Sequence, residues 1–130
     1  MQLENVVTTL GILKGRDAVY LDKIEFDATH TVKLIGEING NLLEKEHTTS
    51  GFLKFSFVFK QVLAFEMIEL DSWFPPELWN EQGSSFARII NSQWIDALKG
   101  KVTPQHQHYL LVTYDDVFQI ICETMEINIE

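Results

Sequence analysis

Between Phe52 and Leu70 the chain reads FLKFSFVFKQVLAFEMIEL, with Leu53, Phe55, Phe57, Phe59, Leu63, Phe65 and Met67 at odd positions and only Gln61 interrupting them. Side chains alternate faces along an extended chain, so this run predicts one long strand with a strongly apolar face. At about 3.3 Å per residue a straight strand of this length would reach ~60 Å, well beyond the diameter of a small domain, so a bend or bulge is required. Lys60 and Gln61, where the apolar face lapses, are its expected position.

The flanking sequence supplies further strands. Val6 to Leu13 and Ala18 to Phe26 are rich in Val, Ile, Tyr and Phe, and Gly15, Arg16 and Asp17 between them predict a hairpin turn. His30 to Ile38 predicts a third strand ended by Asn39, Gly40 and Asn41, with Leu42 to His47 returning beside it. In Ser84 to Leu98 the period changes: Phe86, Ile90, Trp94, Ala97 and Leu98 recur at helical spacing, Ser84 or Ser85 can cap the start, and Gly100 can stop it. Asn91 and Ser92 are the points at which such a helix would break in two. Beyond Pro104, His106 to Tyr114 and Val117 to Ile129 predict a closing hairpin joined near Asp115 and Asp116. This order lacks strict βαβ alternation. It predicts a single α+β, mainly β domain over residues 1–130: a curved antiparallel sheet or sandwich of about seven strands with one covering helix at residues 84–98.

Composition bounds what such a domain does. The 130 residues are 45% hydrophobic, enough to bury a core without disulfides or metal. Cys122, the single cysteine, lies in the apolar run VFQIIC with no Lys, Arg or His beside it, which predicts a buried hydrophobe in a reducing compartment. The N-terminal MQLENVVTTL lacks a basic leader and a long apolar stretch, and no window is apolar enough to span a bilayer, so a soluble cytoplasmic protein is expected. Net charge is −9, with 8 acidic and 7 basic residues before position 66 and 11 acidic and 3 basic from there on. The C-terminal half therefore repels phosphates, which argues against nucleic acid and anionic membranes. If charge selects a partner, that partner is basic; the alternative is that the surplus carboxylates only keep a β-rich protein soluble.

Three groups of residues carry candidate chemistry. Trp73, Phe74, Pro75, Pro76, Leu78 and Trp79, rimmed by Asp71, Glu77 and Glu81, form an aromatic and proline cluster; such a cluster either docks a protein or plugs the open end of the sheet. Asp71, Trp73, Phe74, Glu77, Trp79 and Glu81 are accordingly the predicted partner-binding residues. His106 and His108, two apart on one strand, would project from one face roughly 7 Å apart, as some metal sites need, though a third ligand would have to come from elsewhere. Asp115 and Asp116 fit either a carboxylate pair or, more simply, a hairpin turn. No GxSxG, P-loop, GxGxxG, HExxH or paired-cysteine spacing occurs, which argues against an enzyme, and no cofactor is implied.

The run HQHYLLVTYDDVFQIICETMEI, preceded by FARIINSQWIDAL and by the strand ending in EMIELDSW, resembles a group of small uncharacterised bacterial proteins, some of them similar to immunity proteins of polymorphic toxin systems. The resemblance implies a helix with a buried Trp, then a hairpin through Tyr114, Asp115 and Asp116, and transfers no catalytic residues. An immunity protein covers a toxin's active site, and against a basic nuclease an acidic, aromatic-containing surface is complementary. The expected function is non-catalytic binding of another protein inside a bacterial cell, its specific role open, with immunity-like binding of a basic partner as one form of it. Two alternatives stay open: a small-ligand or metal-binding β domain using His106, His108 and Tyr114, and a domain that self-associates through sheet edges.

Overall fold

The computed structural model describes residues 2–40, 51–72 and 84–130. In chain order the strands among these residues are β1 (Gln2–Asn5), β2 (Val19–Phe26), β3 (Val32–Asn39), β4 (Phe52–Lys60), β5 (Ala64–Glu69), β6 (Phe86–Ile90), β7 (Gln107–Val112), β8 (Asp116–Cys122) and β9 (Thr124–Ile129), with a short helix α1 (Gln93–Ala97) between β6 and β7. They form two antiparallel sheets, one ordered β1-β6-β7-β8-β5 and the other β2-β3-β4-β9. The fold is mainly β with one short helix among the described residues, as the sequence predicts.

The apolar run at 52–70 does bend where its hydrophobic face lapses, and the bend moves the chain from one sheet to the other. Gln61 adopts a left-handed backbone (φ 51°), β4 stays in the four-stranded sheet, and β5 joins the edge of the five-stranded one. The corner is held by backbone bonds from Val62 N–H to the His30 carbonyl (2.9 Å) and from Leu63 N–H to the Ile121 carbonyl (2.8 Å). Beside it the chain crosses back: β8 and β9 are separated only by Glu123, whose N–H donates to the Lys60 carbonyl at 3.2 Å. The expected continuous strand over 117–129 is thus two strands in two sheets.

Between the sheets lies the core. Phe55, Phe57 and Phe59 of β4, all on one face by strand alternation, meet Phe86, Tyr109, Leu111, Phe118 and Ile120 from the opposite sheet, and each is almost entirely buried. Their rings are close enough for direct aromatic contact, with centroids 5.0 Å apart for Phe57 and Phe86 and 5.8 Å for Phe59 and Tyr109. Fully burying each such side chain stabilises the fold by roughly 1.5–3 kcal/mol, so the β4 triplet is the main tie between layers. A second apolar cluster of Leu70, Leu110, Val112 and Val117, with Leu3 and Ile89 against it, occupies the other face of the five-stranded sheet.

Two sequence expectations need correction. Val6 to Leu13 is not a strand and makes no hairpin with 18–26; β1 pairs with β6 and β2 with β3. Within it Thr8 and Gly11 bond each other across a tight turn, the Thr8 hydroxyl donating to the Gly11 carbonyl at 2.7 Å, while Val6 and Leu13 turn into the core. The helix predicted over 84–98 is confined to Gln93–Ala97, and its first half is β6. FARII is β-branched and aromatic, and pairing with β1 and β7 lets Phe86 enter the core while Ile89 joins the second cluster, so tertiary pairing overrides a coincidental 4-residue spacing. The break predicted at Asn91 and Ser92 is real: Asn91 is left-handed (φ 55°), and Ser92, not Ser84 or Ser85, caps the helix. Residues 42–47 lie outside the described residues.

Candidate functional site

One flank of the sandwich carries two strand edges that are unpaired among the described residues. β5 ends the five-stranded sheet and β2 ends the four-stranded one. Aromatic contacts tie these edges together: Phe26 of β2 meets Phe65 of β5 edge-on at 5.3 Å, and Tyr20 stacks on Tyr114, in the β7–β8 turn, at 5.1 Å. Apolar side chains remain open to solvent here, with Phe26 63% and Met67 53% exposed. An unpaired strand presents its own N–H and C=O groups, so this flank offers backbone bonds and apolar surface together.

Its electrostatics are one-sided. Glu66 and Glu69 lie on β5, Asp71 follows, exposed, in a 3-10 turn (Leu70–Ser72), and Asp115 and Asp116 adjoin, Glu69 and Asp116 being register partners. The Asp116 carboxyl is pushed above the usual carboxylate range by partial burial, then by the Asp115 and Glu69 carboxylates beside it. Nearby Lys23 is already engaged with Glu25 at 3.1 Å. Arg16 is held by the Tyr114 carbonyl (2.9 Å) and lies over the Tyr114 ring. Asp115 lies in the hairpin turn and Asp116 opens β8, and there the Thr113 hydroxyl, not an aspartate, accepts the Asp116 N–H at 3.1 Å. Of the predicted contact residues, Asp71 stands at the end of this flank; Trp73, Phe74, Glu77, Trp79 and Glu81 lie outside the described residues.

His106 and His108 are both buried but are built into separate surroundings. His108 sits in a hydrogen-bonded chain: its Nε2 meets Gln119 Oε1 at 2.7 Å, its Nδ1 meets Ser92 Oγ at 2.6 Å, and Gln119 Nε2 donates to Glu66 Oε1 at 3.4 Å. An amide oxygen only accepts, so Nε2 carries the proton and Nδ1 accepts from the Ser92 hydroxyl. Burial lowers the His108 pKa, opposed by the bond to Gln119. Ser92 Oγ also accepts the Ile95 N–H at 3.1 Å, so its hydroxyl is fully engaged in capping α1 and fastening it to β7. Trp94, half-buried, packs edge-on against the same imidazole at 5.4 Å. This accounts for each polar atom in the chain as a structural contact.

His106 precedes β7 and bonds through Nδ1 to Thr103 N–H at 2.9 Å. It lines a different pocket from His108, and Tyr114 lies beyond the far end of β7, so the three residues of the ligand alternative do not converge. Among the described residues no group of three His, Cys, Asp or Glu side chains is placed to hold a metal ion. Cys122 is fully buried, and burial pushes its thiol up to about 12, which suits a core side chain. Sequence patterning gave no warning of Ser92 and Gln119 as partners of His108, because they come together only through pairing of β7 with β8 and the turn after β6. Comparison with protein-family models, curated proteins and solved structures finds no match to this chain.

Proposed function

We propose that this chain is a non-catalytic binding domain whose partner is a basic protein, seated on the acidic flank formed by β5 and β2. The observation that carries it is the β5 edge: unpaired among the described residues, with Met67 exposed and Glu66, Glu69, Asp71 and Asp115 around it. A strand of the partner bearing Lys or Arg could add to this edge by backbone hydrogen bonds, with charge setting its register and speed of approach. Self-association through the same edge is disfavoured, because a second copy would bring further carboxylates against Glu66 and Glu69. Neutralisation of a basic toxin, as by an immunity protein in a bacterial cytoplasm, is the narrower form of this function. No helix of the described residues is long and apolar enough to cross a membrane.

Charge reversal tests it. Wild-type protein immobilised at low salt is expected to retain a basic protein from its source cells and to release it as salt rises. The Glu66→Lys, Glu69→Lys double variant, altered only at exposed positions, should retain none of it. Equal retention by both proteins, or no basic protein retained by the wild type, contradicts the proposal.

A further inference from the structure

The open edge of β5 has a definite register. Leu70 N–H donates to the Asp115 carbonyl at 2.9 Å, and Thr113 N–H donates to the Asp116 carbonyl at 2.8 Å. Antiparallel bonding alternates along a strand, so in the observed pairing Glu66 and Ile68 turn their backbone groups to β8, while Phe65, Met67 and Glu69 turn theirs outward. Those outward groups have no strand beside them among the described residues. Side chains alternate as well. Phe65, Met67 and Glu69 share the inter-sheet face, where Phe65 meets Phe118 at 5.8 Å, and Glu66 lies on the opposite face beside Gln119.

Where β5 begins, its edge adjoins a hollow of about 290 Å³ whose apolar wall is Phe26, Val32, Val62, Leu63, Ala64 and Phe65. Asp27 Oδ1 and His30 Nδ1, from the same lining, are already matched by the Thr29 and Thr31 N–H groups and by the Val62 carbonyl, so the demand left in the hollow is apolar. It is smaller than sites that enclose a whole drug-sized ligand and suits one large side chain. These features fix the pattern of a strand that adds here. Opposite Glu66 and Glu69 it carries Lys or Arg; opposite Met67 and Phe65 it carries apolar residues, the latter reaching the hollow. Every pairing in both sheets is antiparallel, and an antiparallel arrival sets these residues directly opposite their counterparts. We propose that β5 recruits an extended segment of its partner, laid antiparallel, in which a basic, any, an apolar, a basic and an aromatic residue follow in that order, the aromatic one anchored between Phe26 and Phe65. This rests on the binding of a basic protein at the flank.

Amide NMR titration of the full chain with the capped peptide Thr-Arg-Thr-Val-Lys-Phe-Thr, with its reversed sequence and with a version in which Ser replaces Phe tests this. The first peptide is expected to shift residues 64–69 saturably and to slow exchange at the Phe65, Met67 and Glu69 amides more than at those of Glu66 and Ile68, which β8 already holds. The reversed peptide has the same charge and composition; it and the Ser version should bind about tenfold more weakly. Met67→Pro removes an outward N–H at an edge position, where proline is tolerated, so it should fold and lose the peptide. Phe26→Ser, at an exposed position, should keep the fold and weaken binding about tenfold. No saturable shift, equal binding of forward and reversed peptides, binding unchanged in Met67→Pro and Phe26→Ser, or an edge already covered by a second copy of the chain overturns the proposal. The flank is judged apart from this: a basic protein retained by wild type and lost in the Glu66→Lys, Glu69→Lys variant supports it even when the peptide fails.

Discussion

Gly36 shows how a single residue holds the four-stranded sheet. It faces Leu21 where the β2–β3 register slips by a bulge, and a Cβ built on it would lie 2.0 Å from the Tyr20 carbonyl oxygen. Backbone cannot yield cheaply there. Gly36→Ala is expected to destabilise the fold by about 3 kcal/mol, read as a lower urea midpoint, and a near-neutral result would mean that β2 does not approach β3 as described. Nothing in the sequence marks this glycine, since its contact comes from a strand 15 residues earlier that the hydrophobic pattern paired with a different segment. Gln61 was legible: the apolar alternation fails there, and the left-handed backbone is found at that residue. What the pattern could not show is that the failure moves the chain between sheets, because a strand's own alternation carries no information about which neighbour it will pair with.

At the scale of elements, α1 is too short to be stable by propensity and depends on its attachment to β7. Ser92 makes that attachment with one hydroxyl, which caps α1 by accepting the Ile95 N–H and reaches β7 by donating to His108 Nδ1. Ser92→Ala should therefore cost about 2–3 kcal/mol, combining a lost cap with a buried acceptor left unmatched, whereas Ser92→Thr keeps the hydroxyl and most of the stability. Comparison of thermal midpoints for the three proteins checks this. His108 adds a pH dependence with a definite sign. Burial lowers its native pKa below the ordinary 6.5, so the unfolded chain takes up a proton that the native state refuses as pH falls below that value. The stability advantage of wild type over His108→Gln should be full above about pH 6.5 and narrow as pH falls toward the native pKa. An advantage that is constant or grows on acidification contradicts the buried neutral imidazole. The sequence misled over 84–98 because Phe86, Ile90 and Trp94 satisfy a helical spacing by accident, while the β-branched pair Ile89 and Ile90 and the strands on both sides decide for β6.

For the whole molecule, the layered fold and the acidic character were both legible, the first from period-2 apolar runs and the second from charge alone. The surface that concentrates the charge was not: Glu66, Glu69, Asp71, Asp115 and Asp116 are distributed over 51 positions and meet because β5 pairs with β8 at the edge of its sheet. Sequence singled out only Asp71 of these as a contact residue. An apolar edge strand left open is an aggregation hazard, and under the proposed function the rim of carboxylates would repel further copies of the chain and attract a basic partner. Amide hydrogen exchange of the chain, alone and with the basic protein it retains, tests this most directly. Slowed exchange on binding at residues 64–69, lost in the Glu66→Lys, Glu69→Lys variant, is the expected result; slowed exchange that spares β5 while the same protein is bound would contradict it.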